Sequence, residues 1–332
     1  MAANDLVSIL IPAFNGERWI GECLSSAVGQ TWPRTEVIVV DDGSTDGTLA
    51  AARAHASGAV QVVTQENRGA SAARNHALRL AQGSYIQWLD ADDMLAPDKI
   101  ARQMTAAQRH GESALHACRY GVFHYRLNKA KFSRTALWRD HTPMSWVLTR
   151  FTHKAWLIPA AWLISRRVAE AAGPWDERLS LNDDAEYFCR VVLASDHVHF
   201  DEHATCYYRS TGYGQLSRTR SEPALESLLL SLALCIGHLQ SVEVSERTRR
   251  ASLALLQMYA PFWRDAPGVR IRADRIAAAL GGRLQADAID RKAATLRQAV
   301  GIQRATQWLD GFRRLRLLTA VGWDEALNRW TH

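Results

Sequence analysis

Cysteine is scarce in this chain of 332 residues: Cys23, Cys118, Cys189, Cys206 and Cys235, with no C-x-x-C pair among them. An odd, scattered set excludes a disulfide framework and fits a reduced, cytosolic compartment. Long apolar runs are also missing. The longest, "AWLIPAAWLI" and "LLLSLALCIGHL", fall short of the roughly 20 apolar residues of a bilayer span. The start, "MAANDLVSIL", has neither a basic stretch nor a long apolar segment, so no signal peptide is expected from it. Neither sign of charge dominates. A formal charge of +6 suits an anionic substrate, a membrane surface or nucleic acid and selects none of them. The arginine–aromatic arrays of nucleic-acid binders are absent, so no nucleic acid is expected as a partner. No internal repeat or low-complexity tract occurs.

What is present is ample apolar material, 47% of residues, enough for one large domain or two. The first 120 residues alternate strand and helix signals. "VSILIP", "EVIVVDD", "AVQVVTQ" and "SYIQWLD" read as strands. Between them "ERWIGECLSSAV", "TLAAARAHA" and "GASAARNHALRLAQG" read as helices, the last closed by Gly83, and "APDKIARQMTAAQRHG" follows with Pro97 near its start. Such alternation means an α/β fold with a mostly parallel sheet covered by helices. Residues 115–218 are mixed and tryptophan-rich. From Ser221 the pattern is helical, with caps at Ser221 and Ser245, so the expected division is 1–218 for the α/β domain and 219–332 for a helical C-terminal region.

Ligands of open α/β sheets bind beyond the carboxyl ends of the strands. Three of those ends carry unusual chemistry here. "YIQWLDADDMLAP" runs from a buried strand into Asp90, Asp92 and Asp93. Like charges so close raise one another's pKa unless something positive neutralises them. A hard divalent cation held by one or two carboxylates and phosphate oxygens would do so. The plainer alternative is a helix cap, a role that Asp93 in particular could fill. Asp41 and Asp42 end another strand, where they could bind a base or a ribose, or form an Asx-turn with Gly43. "IPAFNGERWI" breaks the first strand at Pro12, turns at Asn15–Gly16 and opens a helix with Glu17, whose charge suits a helix N-terminus. "ENRGASAARN" sets Arg68, Arg74 and Asn75 around a glycine-led helix start. That arrangement suits a phosphate, although Arg74 could equally pair with an acid and hold the loop.

Two later clusters are acidic or histidine-rich. In "WDERLSLNDDAEYFCRVV", Asp183 and Asp184 precede a helical stripe. They could cap that helix or supply a general base. In "DHVHFDEH", His197, His199 and Asp201 alternate onto one strand face. A polar face is the expected reading and a transition-metal site the alternative. "FRRLRLLTAVGWDEALNRW" is expected to be a packed terminal helix with a solvated basic face, or else a membrane-surface helix.

Five segments, "VSILIPAFNGERWI", "VIVVDDGSTDGT", "NRGASAARNHAL", "GSYIQWLDADDMLAPDKI" and "GPWDERLSLNDDAEYFCR", together resemble the family 2 glycosyltransferases of GT-A fold, in order and spacing over residues 7–218. The resemblance implies an inverting, metal-dependent transferase that moves a sugar from a nucleotide-diphosphate sugar, UDP or dTDP, to a hydroxyl. It implies a nucleotide-sugar site of Pro12, Ala13, Phe14, Glu17, Asp41, Asp42, Asn67, Arg74, Asp90 and Ala91. The D-x-D motif falls on Asp90-Ala91-Asp92, with Asp92 and Asp90 toward a Mn²⁺ or Mg²⁺ cofactor. The catalytic base maps to the pair Asp183-Asp184, Asp184 being the better match, and an ordinary aspartate pKa near 4 leaves it ionised at neutral pH. The chain departs from the family at two places. Asp183 stands where many members have glutamate, and Thr211 stands near where many have a metal-binding histidine.

The implied partners are the donor and an acceptor that is a glycan, a lipid-linked sugar or a protein. The implied location is cytoplasmic, or peripheral at the inner face of a membrane. Trp156, Trp162 and Trp175 could stack on an acceptor sugar, with core packing as the default. Two other readings stay open. One is a non-catalytic nucleotide-sugar-binding module. The other is a haloacid-dehalogenase-like phosphatase, with Asp90 as nucleophile and Asp92 as acid/base, although Met94 stands where that motif wants Thr or Val.

Overall fold

The structure, a computed structural model, describes residues 5–153, 155–210, 221–264 and 266–285. The expected boundary near residue 219, Thr211, and the helical readings beyond residue 285, including 312–330, lie outside these residues.

Eight strands form one sheet in the order β3-β2-β1-β4-β7-β6-β8-β5. The first four are β1 (Val7–Ala13), β2 (Thr35–Asp41), β3 (Val60–Thr64) and β4 (Tyr85–Trp88), all parallel. β1 is buried along nearly its whole length, as a central parallel strand covered on both faces must be. The helices α1 (Ile20–Val28), α2 (Thr48–Arg53), α3 (Ala70–Leu80) and α4 (Lys99–His110) follow the strands as the alternation predicts.

Two local expectations are corrected. Pro12 does not break β1, which runs on to Ala13 with Pro12 opposite Val40. Gly83 does not close α3, which ends before Ala81. Gly83 sits instead against the start of β1, where an added Cβ would lie 2.5 Å from Ser8 Oγ and 2.7 Å from the Leu6 carbonyl.

The tryptophan-rich middle completes the sheet. β6 (Ala114–Phe123) and β8 (His197–Arg209) are parallel to each other, while β7 (Trp162–Ser165) and the short β5 (Met94–Leu95) run antiparallel to their neighbours. The sheet is therefore mixed, with β6 and β8 pointing the same way as β1. α5 (Pro143–Thr152), α6 (Arg166–Ala172) and α7 (Asp183–Leu193) cover this half. The long α8 (Glu222–Val242) lies along α7, followed by α9 (Glu246–Tyr259) and α10 (Pro267–Ala279). The predicted caps are both present in position. Ser245 forms a reciprocal capping box with Thr248, and Ser221 precedes α8 without a side-chain bond.

α8 outruns its apolar core run. By length and composition it is long enough to cross a membrane, which corrects the reading of its sequence as too short. Half of its apolar window is buried within the protein, and Leu228, Leu232 and Leu239 belong to a core continuous with the sheet.

Candidate active site

The three predicted strand ends do meet, because β2, β1 and β4 are neighbours and parallel. Asp42 follows β2 and is buried. Both its carboxylate oxygens are engaged: Oδ1 accepts from Gln65 Nε2 (2.7 Å) and the Arg68 N–H (2.9 Å), and Oδ2 accepts from the Gly69 N–H (2.8 Å). The Gly69 backbone has φ +91°, a conformation glycine adopts without strain, so this carboxylate fixes the entry to α3. Asp41 accepts from the Ser44 N–H (3.3 Å) and from Thr64 Oγ1 (3.2 Å), the turn-type bonding weighed against ligand binding. Gly43 between them has φ +72°, and a Cβ there would lie 2.9 Å from the exposed Asn67's backbone nitrogen.

Around the first loop, Ala13 is buried, Pro12 is half-buried and Phe14 is 51% exposed at the crevice mouth. Glu17 does not open α1, whose first residue is Ile20. Its carboxylate accepts instead from the N–H of Gly47 (3.0 Å), at the start of α2. A carboxylate suits that end of either helix, and the loop places it on the neighbouring one.

The positive partners of the Asp90–Asp93 trio are two arginines. Arg74 is buried, donates to Asp90 Oδ1 (2.8 Å) and Asp183 Oδ2 (2.6 Å), and lies 4.3 Å over the Trp175 ring. Burial alone would lower its pKa, but the Asp183 and Asp90 carboxylates outweigh that and raise it. Arg209, the last residue of β8, is also buried. Its Nε donates to the Asp92 carbonyl (2.9 Å), its Nη2 to Glu22 (2.6 Å) and its backbone N–H to Asp93 Oδ1 (2.9 Å). Asp93 is therefore not a helix cap. It ties the acidic loop to the end of β8, while α4 starts after Asp98.

Burial, and then the Asp90 charge, push Asp92 up to about 6. Burial with the Asp92 and Asp90 charges raises Asp93 as well. Among the described residues the Asp92 carboxylate makes no ion pair. A half-buried carboxylate short of positive charge beside Asp90 is the donor chemistry that a hard divalent cation favours, and here the residues fit such an ion.

The second acidic pair comes to the same place. Asp183 starts α7 and is bound by Arg74 and by Ser71 Oγ (3.1 Å). Neither Asp183 nor Asp184 is the N-cap, which is Asn182 at φ +63°. Asn182 is held from the C-terminal helices: its Nδ2 donates to Ser231 Oγ (2.8 Å), which donates in turn to the Asn182 carbonyl (2.7 Å). Burial and the Asp183 charge push Asp184 up to about 6, with Arg74 and Arg150 opposing. That corrects the expectation of an ordinary value near 4, although the group is still mostly ionised at neutral pH.

Trp175 and Trp162 are core residues. Trp175 stacks on Tyr187 (4.0 Å) and Trp162 on Phe188 (5.2 Å). Trp156 is 53% exposed. Neither Arg209 nor Ser231 is singled out by the sequence. The signal for Arg209 was the "YYR" ending a strand, but its acidic partners lie more than a hundred residues away.

The His197–His199–Asp201 alternation lies at the start of β8, the opposite end of the sheet from this crevice. Asp201 turns to its own loop, accepting from the N–H groups of His203 (2.8 Å) and Ala204 (3.2 Å), while Asp140 approaches the two histidines.

Comparison with known proteins bears on the family and the fold. Residues 8–172 match the family model described as "Glycosyl transferase family 2". Chondroitin synthase of Escherichia coli is 45% identical over 97 residues, 29% of this chain and 14% of that protein. Against the curated relatives it matches, the chain spans between 14% and 62% of their lengths. Among solved structures, S. aureus TarS 1-349 in complex with UDP-GlcNAc superposes with a TM-score of 0.66 at 18% identity, covering 81% of this chain and 79% of that one. The mannosyltransferase PcManGT of Pyrobaculum calidifontis, in complex with GDP-Man and Mn²⁺, gives 0.54 at 19% identity, covering 98% and 84%. At these identities the two structures establish a shared fold.

Proposed function

The chain belongs, through residues 8–172, to glycosyl transferase family 2, and on that premise we propose that it moves a sugar from a UDP- or dTDP-sugar to a hydroxyl, with inversion. The acceptor class is a glycan, a lipid-linked sugar or a protein hydroxyl. The observation that carries this reading is Arg74, which binds Asp90 and Asp183 at once and so joins the D-x-D loop to the segment bearing Asp184. One buried cation thus fixes the spacing between a diphosphate-side carboxylate and a candidate base.

In this reading Asp41, Asp42, Pro12, Ala13, Phe14, Glu17 and Asn67 surround the nucleoside. Asp42 acts by shaping the Gln65–Gly69 loop as well as by any direct contact. Asp92, with Asp90 and Ala91 beside it, would hold Mn²⁺ or Mg²⁺, which would supply charge stabilisation for the departing diphosphate. Arg74 keeps Asp90 oriented, and Arg209 holds the backbone of the loop that presents Asp92. Asp184 accepts the proton of the acceptor hydroxyl as that oxygen attacks the anomeric carbon, and Asp183 stays locked on Arg74. The exposed Trp156 supports an acceptor-stacking role for that residue alone of the three tryptophans. Five free cysteines support a reduced, cytoplasmic location, with any membrane contact peripheral at its inner face.

The test is thermal stabilisation by UDP, dTDP, GDP and ADP, each with and without Mn²⁺, on the wild type and on Asp92→Asn. Ligands that bind the native state raise the melting temperature by mass action. A pyrimidine-diphosphate shift that needs the metal and vanishes in the variant is expected. A shift with no nucleotide would overturn the assignment of the crevice.

A further inference from the structure

We propose that Asp140, His197 and His199 form a second metal site, for a borderline transition ion of the Zn²⁺ class, at the end of the sheet remote from the acidic crevice. Among the described residues their donor atoms form a group lying within 4.8 Å of one another. The Asp140 carboxylate is central: Oδ2 lies 3.4 Å from His199 Nδ1 and 3.6 Å from His197 Nε2, and Oδ1 lies 3.3 Å from His199 Nδ1. A tetrahedral ion with bonds of about 2.0–2.2 Å separates its donors by about 3.3–3.6 Å, so these spacings are the edges of such a site. The other oxygen, Oδ1, accepts from the Phe200 N–H (2.7 Å), the kind of outer contact that orients a ligating carboxylate.

The backbone holds these three groups in place. His197 and His199 alternate on β8, so both point to one face. Asp140 is fixed opposite them by a two-bond bridge between its neighbour His141 and Val198, both bonds 2.9 Å. His141 itself is committed elsewhere, to Ser145 Oγ and the Ala136 carbonyl.

A second, independent observation points the same way. His116 is opposite His199 on β6, fully buried, and neither of its ring nitrogens has a hydrogen-bond partner. An unpartnered buried imidazole is costly unless something nearby gives its polar atoms a role. Its ring centre lies 5.9 Å from that of His199, and His110 at the end of α4 stacks on His199 at 4.5 Å. Four imidazoles therefore crowd one carboxylate. Protonated rings at these distances would repel, whereas neutral imidazoles are metal ligands. The fourth position is left to water or to His110. An ion there would join the 139–141 stretch to the start of β8, and the end of α4 as well where His110 is the fourth ligand. It would act as a structural clamp with no part in the transfer chemistry.

The full chain, prepared without a polyhistidine tag and stripped by chelator, is titrated calorimetrically with Zn²⁺ and optically with Co²⁺. The expected result is one submicromolar Zn²⁺ site, with the visible absorption of tetrahedral Co²⁺. His197→Ala and His199→Ala should each weaken binding by at least about 100-fold. Asp92→Asn should leave it unchanged, which separates this site from the crevice. The stripped histidine variants should melt with the stripped wild type, since both side chains are partly exposed. If either does not, Asp140→Asn replaces it. Binding weaker than micromolar, or equal in wild type and histidine variants, overturns the proposal and leaves the cluster as a polar strand face. Neither result bears on nucleotide binding.

Discussion

At the carboxyl ends of β1, β2 and β4, the carboxylates of Asp90, Asp93, Asp183 and Glu22 bond to two buried arginines; at the opposite end of the same sheet, His197 and His199, with His110 and His116 beside His199, face the carboxylate of Asp140. The difference lies in what can change. Guanidinium stays protonated at any pH of interest, so the two cations that organise the crevice are permanent. Neutral imidazole is a metal ligand, so the histidine end can respond to an ion. A transferase needs the first arrangement where charge develops in the transition state, and can accept the second where it only holds segments together.

The largest effect that would break this comparison is at the base. Asp184→Ala should reduce transfer by about 10²–10⁴-fold. Nucleotide-dependent stabilisation should survive, because among the described residues no hydrogen bond or ion pair joins the Asp184 side chain to the Asp42 or Asp92 loops. A variant that transfers at the wild-type rate would move the base elsewhere. Next is the arginine itself. Arg74→Leu leaves Asp90 and Asp183 facing each other without a cation in a largely buried setting. Losing one partner of such a network costs about 3 kcal/mol or more. Urea unfolding should report it, together with loss of metal-dependent nucleotide binding. Arg74→Lys should recover stability only in part, since a single ammonium nitrogen replaces the two guanidinium nitrogens that reach Asp183 and Asp90 separately.

The pH profile tests the same arrangement more gently. Asp184 must be ionised to accept a proton, and burial beside Asp183 raises its pKa to about 6. Transfer should therefore be near its plateau at pH 7.5. It should fall as pH drops through about 6, by about tenfold per unit below it. Asp183→Asn removes the neighbouring charge, so the midpoint should move down. A midpoint unmoved by that change would mean that burial alone sets it.

The nucleotide half of the molecule was legible because each of its signals is local. Strand, turn and helix residues adjoin one another from Val7 to His110, and parallel strands bring their ends together without further instruction. The other half depends on long separations. β7 has four residues and β5 two, too short for any periodic signal, and both pair antiparallel. Arg209 meets Asp93 across 116 positions, and Asp140 meets His199 across 59. The acids were visible as a problem of uncompensated charge. Which cations solve it was not, because Arg74 could have served either a phosphate or an acid. Glu17 shows the same limit, for its charge suited a helix start and the fold supplied the neighbouring one.

The smallest expected effect probes how far the two halves are joined. Ser231 belongs to α8, outside the matched family segment, yet its hydroxyl donates to the Asn182 carbonyl and accepts from the Asn182 amide. Asn182 is a non-glycine residue at φ +63°, so those bonds compensate a backbone state that costs energy by itself. Ser231→Ala removes both and should cost about 1 kcal/mol of stability. Its signature should lie in the rate constant. With the turn before Asp184 loosened, kcat should fall several-fold while nucleotide stabilisation stays at the wild-type value, because among the described residues no hydrogen bond or ion pair joins α8 to the loops assigned to the nucleotide. A loss of nucleotide binding in this variant would mean that the C-terminal helices shape the donor site as well as the base. Equal kcat would mean that Arg74 alone is sufficient to hold the base in position.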